Sequence, residues 1–351
     1  MTSLLQSFRI RLHWLVALLM ALCLVAMTAL VAGLTQVRLH ASAQEAARDM
    51  FSQVAQRNAQ KLQDVLTTTG NAVQFLASMP LTGVDGAGRI DRPRITALLL
   101  AAVQAQPQLD SVYISFGSDE MLQAIGIGHR PRLKAAFAAP AGSHFALRTI
   151  ERNPANPQER RESWIFLDAR GVRMGERAAT PVSYAASQRP WYRQARQAPG
   201  LQLTQAYEMA SAGALGVSLV QASAVGDGVV AADLVLSEFD QFAGLSLSGQ
   251  EGGVVLANGG GELLGHFAGP EFSDLPVQGM EPLARSANPF VAAAAALAQQ
   301  DASLIQTVQG QEMVYARSPV DATPTSRLWV TAFAPVAPFA APLRSVQREL
   351  L

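Results

Sequence analysis

Residues 184–207 read YAASQRPWYRQARQAPGLQLTQAY, which gathers a guanidinium, an indole and three phenols into one short stretch. Tyr184, Arg189, Trp191 and Tyr192 lie so close along the chain that a turn running into a short helix brings them to one place. Arg189 and Tyr192, three apart, are expected on a single helical face. Pro190 suits the first turn of that helix, where no N–H is needed. The strand-like run VVAADLV (229–235) follows and carries Asp233. A planar guanidinium offers a carboxylate a fork of donors, and Trp and Tyr add apolar walls with a polar tip. With Asp233 as the opposite charge, a pocket holding a fixed cation and a fixed anion suits a zwitterion, of which the smallest common kind is an α-amino acid. The same residues have a second reading, as a structural Arg189–Asp233 pair above packed aromatics, and spacing does not choose between them.

The run RPWYRQA, with Tyr184 before it, Tyr207 after it and the segment GDGVVAADLVLSEFDQF (226–242), resembles the double Cache sensor domains of bacterial chemoreceptors, histidine kinases and cyclases. Within that family it resembles the amino-acid-binding branch. The resemblance implies that Arg189 and Trp191, with Tyr184, hold a ligand carboxylate, while Tyr192, Tyr207 and Asp233 hold its amino group. Two places depart from the family pattern. Members often carry Asp-Pro-Arg where this chain has Ala186, Ser187 and Gln188, which touches the turn into the helix. Met209 stands where a further acidic residue is expected, which touches the amino-group pocket.

The chain has 351 residues, 49% of them hydrophobic, enough for a membrane anchor and one large or two modest domains. Its 27 basic and 27 acidic residues cancel, so nothing indicates a general attraction to nucleic acid. Cys23 is the only cysteine, which excludes an internal disulfide framework or a thiolate metal cluster and is compatible with a bacterial periplasm. The histidines (13, 40, 129, 144 and 266) are scattered without metal-ligand spacing. Ser246 and Ser248 in GLSLSG lack the strand-turn-helix setting of a hydrolase nucleophile, and Gly259 to Gly261 lack the lysine of a phosphate loop. No enzymatic activity, cofactor or metal is expected. The leading expectation is an extracytoplasmic sensor for an amino acid or similar small carboxylate. The alternatives are a membrane-anchored structural or partner-binding module without a small ligand and, behind it, a hydrolase.

Residues 14–34 carry no charge and are long enough, at about 1.5 Å per residue, to cross a hydrocarbon core of roughly 30 Å. A signal peptide is the rival reading, with an unusually long apolar region. Arg9 and Arg11 before the span against Arg38 after it favour a cytoplasmic N-terminus for residues 1–13. Residues 36–79 lack proline and place Met50, Val54, Leu62, Val65, Leu66, Val73 and Leu76 at helical intervals. They predict a stalk helix whose apolar stripe meets either a twin helix or the chain's own domain. The resemblance implies a homodimer through this stalk.

A loop over Met79-Pro80 and LTGVDGAGRIDRP, a helix over 95–106 and several β-type runs predict an α+β fold. Two consecutive strand-rich units, at 80–250 and 251–338, match the antiparallel-sheet, PAS-like modules that the resemblance implies, the first membrane-distal with the pocket and the second membrane-proximal. Residues 153–162, with two prolines and many charges, read as a solvated loop. A hairpin over 252–266, a helix over 290–299 and strands over 304–310, 312–320 and 327–336 make up the second module. Residues 339–351 read as the approach to a second membrane helix and an output domain outside this sequence. The localisation implied is the bacterial inner membrane, with residues after about 35 in the periplasm or extracellular space.

Overall fold

The computed structural model describes residues 2–80, 90–209, 213–224, 226–236, 251–269, 280–297 and 302–339, with positions 239, 243, 247 and 272, and side chains from residue 14 onward. Most of the expected loop after Pro80, the GLSLSG serines, the end of the expected 290–299 helix and residues 340–351 lie outside the described residues.

The fold is α+β. Helix α1 (Thr2–Ser78) is continuous, so the apolar span and the stalk are one helix of 77 residues. Its segment beginning at Trp14 is long and apolar enough to cross a membrane, and that apolar window is not buried inside the structure. Helix α2 (Arg92–Ala105) starts at Asp91, whose carboxylate accepts from the Arg94 N–H at 3.3 Å. The first sheet follows: β1 (Ser111–Ser115), β2 (Met121–Gly126), helix α3 (Pro131–Ala136), β3 (Phe145–Asn153), β4 (Asn156–Leu167) and β5 (Arg173–Val182). Helix α4 (Pro190–Gln197), β6 (Gln202–Leu203), β7 (Tyr207–Met209), β8 (Ala214–Ala222) and β9 (Val229–Val235) complete it. The nine strands run β5-β4-β3-β2-β1-β9-β8-β6, with β7 also on β8.

The second sheet holds β10 (Gly253–Asn258), β11 (Leu263–Ala268), helix α5 (Pro289–Ala293), β12 (Ser303–Val308), β13 (Gln311–Thr323) and β14 (Ser326–Pro335), in the order β11-β10-β14-β13-β12. Both sheets are antiparallel throughout.

Strand residues alternate between faces, and in the first sheet the two faces do different things. Val112, Ile114, Ala124, Leu219, Ala232 and Leu234 form one core with α1 and α2. The same core continues along α1 to Val314, Ala316, Val330 and Ala332 of the second sheet. Val54, Leu62, Leu66, Val73 and Leu76 of the stripe are buried in this core, with Met50 and Val65 packed against it. Of the two options for the stripe, the chain's own sheets take it. Gly70 permits close approach here, since a Cβ would stand 2.7 Å from Leu201 Cδ2. Gln63 fastens the helix to the second sheet by donating to the Asp321 carbonyl and accepting from its N–H, both at 2.8 Å. The far face of the second sheet is filled by Phe290, Tyr315 and Phe333.

The expected loop over 153–162 is instead the turn and outer half of a hairpin. Asn153 pairs with Asn156 across a two-residue turn, and the Asn153 side chain accepts from the Ala155 N–H at 3.1 Å. Beyond the core this arm carries Glu159, Arg160, Arg161 and Glu162 in place of an apolar stripe, so its sequence lacks the alternation that marks a strand.

Candidate ligand-binding site

The other face of the first sheet is the one with chemistry. Across β8, β9 and β1, Ser218 pairs with Asp233 and Asp233 with Ser111, so three polar side chains stand in a row. Tyr113 stands two residues along β1, on the same face, and pairs with Gln123 of β2, which pairs with Arg148 of β3. Over this row lies α4. Its first residue is Pro190, and Arg189 is its N-cap, extended at φ −82 and ψ 147 as the residue before a proline prefers.

That cap geometry corrects the expectation that Arg189 and Tyr192 share a helical face. Arg189 is not in the helix, so the three-residue rule does not apply to it. Trp191, and not Tyr192, lines the cavity with Arg189. Tyr192 packs edge-on to Trp191 at 5.6 Å and donates its hydroxyl to the Asp227 carbonyl at 3.0 Å. The structure therefore brings together Tyr184, Arg189, Trp191, Tyr207 and Asp233, and places Tyr192 behind Trp191 as a support. Tyr113, Gln123 and Arg148, together with Met121 and Met209, complete the lining. The cavity is narrow, ≈ 10 Å³, room for about one water molecule.

Asp233 is buried. Its Oδ1 accepts from Tyr113 Oη at 2.8 Å and Ser218 Oγ at 2.6 Å, and its Oδ2 accepts from Ser111 Oγ at 3.1 Å. Tyr207 Oη lies 2.7 Å from Ser218 Oγ, and because the serine proton goes to Asp233, the phenol is the donor in that pair. Burial outweighs these hydroxyls and raises the Asp233 carboxyl from 3.8 to about 6. Burial, with the Asp233 charge nearby, also raises the phenols of Tyr113 and Tyr207, so both stay neutral and keep their donor protons.

No ion pair joins Arg189 to Asp233, so the structural-pair reading is not what the geometry contains. Arg189 donates from Nη2 to the Glu208 carbonyl only at 3.5 Å, lies 5.9 Å from the Tyr184 ring centre, and buries its Nε without a partner. A guanidinium left partly unsatisfied beside a carboxylate whose Oδ2 takes a single hydroxyl can hold the two ends of a small zwitterion.

Both departures noted in the sequence have physical content. Ser187 lies in the 3-10 turn of Ala186–Gln188, and its N–H donates to Asp119 Oδ1 at 2.7 Å while Arg160 holds the other carboxylate oxygen at 3.0 Å. The turn into α4 is thus anchored on the β1–β2 loop. Met209 is buried in the lining, against Gly216, where a Cβ would meet its Cε at 2.2 Å. A thioether replaces a carboxylate there, leaving Asp233 as the only acidic side chain in the lining.

No family model matches the chain. The adenylate cyclase 1 of Rhizobium meliloti is 28% identical over 230 residues, 65% of this chain and 34% of that relative. The chain therefore spans about a third of the length of the curated relative it matches. Among solved structures, the ligand-binding domain of the Pseudomonas fluorescens chemoreceptor CtaA, in complex with L-isoleucine, is similar at a TM-score of 0.51 and 15% identity, over 86% of this chain and 97% of that one. A Campylobacter jejuni chemoreceptor ligand-binding domain in complex with 4-methylisoleucine matches at 0.51 and 12%, over 86% and 94%. The Pseudomonas aeruginosa amino acid chemoreceptor PctB, in complex with L-Gln, matches at 0.50 and 15%, over 86% and 99%. The fold of this chain is thus the fold of chemoreceptor ligand-binding domains, the double Cache arrangement that the sequence resembles.

Proposed function

We propose that the chain is the signal-input module of a membrane receptor, anchored by residues 14–34 with the remainder extracytoplasmic. In this reading residues 80–250 are the membrane-distal module and bind an amino acid or related small carboxylate, and residues 251–338 are the membrane-proximal module. Arg189, with Trp191 and Tyr184, takes the carboxylate; Asp233, with Tyr207 and Tyr113, takes the ammonium group. Tyr192 acts through Trp191. The observation that carries the reading is the pairing of a partly unsatisfied Arg189 with a buried, hydroxyl-bound Asp233 on the one sheet face that α1 and α2 leave open. The narrow cavity opens for a ligand by movement of Met209, an unbranched side chain with several rotatable bonds.

The amino acid complexes of structurally similar chemoreceptor domains support the ligand class. The cyclase relative supports a cytoplasmic output of that type, driven through α1. No catalytic activity is assigned to this module. A homodimer through α1 would use the face opposite the buried stripe, where Gln53, Gln60, Asp64 and Phe75 are exposed. Single cysteines at Gln60 and Phe75 are expected to crosslink between copies, whereas absence of crosslinking at both removes this interface.

The test of the sensor reading is melting of the full chain in lipid nanodiscs against a panel of L-amino acids. A ligand at 100 times its Kd adds about 2.7 kcal/mol of stability. No shift with any amino acid or small carboxylate would return the chain to the partner-binding alternative.

A further inference from the structure

The reading of the cavity as an amino-acid site leaves one buried cation without a task. Arg148 lines the cavity, with its side chain 9% exposed. Its Nε and Nη2 both reach Glu162 Oε1 at 2.6 Å, so Glu162 takes one edge of the guanidinium. The remaining nitrogen, Nη1, has only the Gln123 Oε1 contact at 3.4 Å. Glu162 is also shared, because Arg177 Nη2 lies 3.4 Å from its other oxygen. Gln123 turns its own donor away, to Ser111 Oγ at 3.0 Å, so the edge it shows Arg148 is its acceptor. Trp164 and Tyr184 face the Arg148 guanidinium at 5.5 and 4.9 Å and hold it in plane.

Charge balance gives this arrangement a ligand. Among the charged side chains that line the cavity, Arg148 and Arg189 stand against Asp233, one positive charge in excess, while behind them Glu162 is shared between Arg148 and the half-exposed Arg177. A neutral zwitterion leaves that excess in place, whereas a zwitterion with one further carboxylate cancels it. Arg148 lines the cavity from β3 and Asp233 from β9, with β2 and β1 between them in the sheet. The far end of the cavity is therefore the cationic one.

Resting on the amino-acid reading of the site, we propose that Arg148 is a specificity-determining residue and that the ligand is an acidic amino acid, its side-chain carboxylate accepted by Arg148 Nη1. The chemistry is a guanidinium whose Glu162-bound edge fixes it and whose Nη1, held by Gln123 only at 3.4 Å, meets the ligand. Met121 and Met209 line the walls between, and fit the ligand's methylenes.

Calorimetry on the full chain in nanodiscs tests this with four ligands: aspartate, asparagine, glutamate and alanine. Aspartate and asparagine have the same shape, so their ratio isolates the charge. A hydrogen bond to a charged partner is worth roughly tenfold or more in affinity, and aspartate or glutamate is expected to exceed asparagine and alanine by at least about that factor. In the double variant R148Q/E162Q, which removes the cation from the lining without stranding a buried carboxylate, the ratio of aspartate to asparagine affinity is expected to fall to about twofold or less. Alanine or asparagine binding as well as the acidic pair would overturn the inference and leave the amino-acid site intact. So would an acidic preference that survives in the double variant. No binding by aspartate or glutamate in the unchanged chain overturns the inference, whereas the amino-acid reading of the site falls only if the wider panel also gives no melting shift. Should the double variant not fold, the aspartate to asparagine ratio in the unchanged chain decides alone.

Discussion

Replacing Asp233 by asparagine is expected to stabilise the fold and abolish its proposed function at the same time. The carboxyl is fully enclosed, and burial raises it from its ordinary 3.8 to about 6. A folded-state value above the unfolded one means that the native chain binds the proton more tightly. The associated stability is fully present below about pH 4 and is lost as pH rises through about 6. At 1.36 kcal/mol for each tenfold in proton affinity, the loss amounts to about 3 kcal/mol by neutral pH. Asp233→Asn removes the ionisation while keeping the shape. Its carbonyl can still accept from Tyr113 and Ser218, and its amide can donate to Ser111 Oγ. The variant is therefore expected to exceed the unchanged chain by about 2–3 kcal/mol at pH 7.5, a rise of roughly 3–5 °C in Tm for a chain of this length, and to match it at pH 4.

The assay is melting of both proteins in nanodiscs at the two pH values, without ligand, followed by calorimetry with the tightest-binding amino acid. Binding is expected to weaken by at least roughly thirtyfold, the cost of leaving an ammonium group without its buried anion. A variant that melts at or below the unchanged chain at pH 7.5 would refute the account of Asp233 as a destabilising charge held for a ligand. A gain of equal size at pH 4 would refute the attribution to ionisation.

Amino acid affinity in the unchanged chain is expected to fall as pH drops below about 6, by about tenfold per pH unit, because Asp233 must lose its proton to receive the ammonium group; a flat profile between pH 7.5 and 4.5 argues against Asp233 as the amine partner. Arg189→Ala is expected to cost about 2–5 kcal/mol of binding with little change in ligand-free melting, since the residue forms no ion pair among the described residues; strong destabilisation with unchanged affinity would make it a structural residue. Gly216→Ala forces a Cβ to within 2.2 Å of Met209 Cε and 2.8 Å of the Leu234 carbonyl, and overpacking of this kind costs typically about 1–3 kcal/mol; a melting temperature unchanged from the parent would show that Met209 has somewhere to go.

The fold was legible wherever burial imposed a period. The stripe from Met50 to Leu76 pointed to a long helix, and the strands of the second sheet followed from apolar runs between glycine turns. What the stripe could not say was its partner, because a helix face reads the same whether it meets a sheet or a twin. The arm of β3 and β4 was illegible for the opposite reason: Arg160, Arg161 and Glu162 are consecutive charged residues in a strand, without the apolar alternation that would announce it. The same limit hid half of the site. Tyr184, Arg189 and Trp191 are neighbours in sequence, whereas Gln123 and Arg148 join them only through strand register. Ser111 and Tyr113 did leave a signal, since SVYIS alternates hydroxyl and apolar side chains, the pattern of a strand with one polar buried face.

That alternation also bears on how the proposed sensor would work. On β9, Asp233 faces the cavity while Ala232 and Leu234, its immediate neighbours, lie in the core shared with α1. On β8, Ser218 bonds to Asp233 while Val217 and Leu219 point to the same core. Ligand contacts and helix contacts are thus made by adjacent residues of the same two strands. A shift of β9 that improves its contact with an ammonium group cannot leave its packing on α1 unchanged, because close-packed cores transmit displacement. A ligand can bias α1 only by its differential affinity for the two strand positions. On the proposed reading, Asp233, buried on β9 and shared by Tyr113, Ser218 and Ser111, is where that difference is expected to arise.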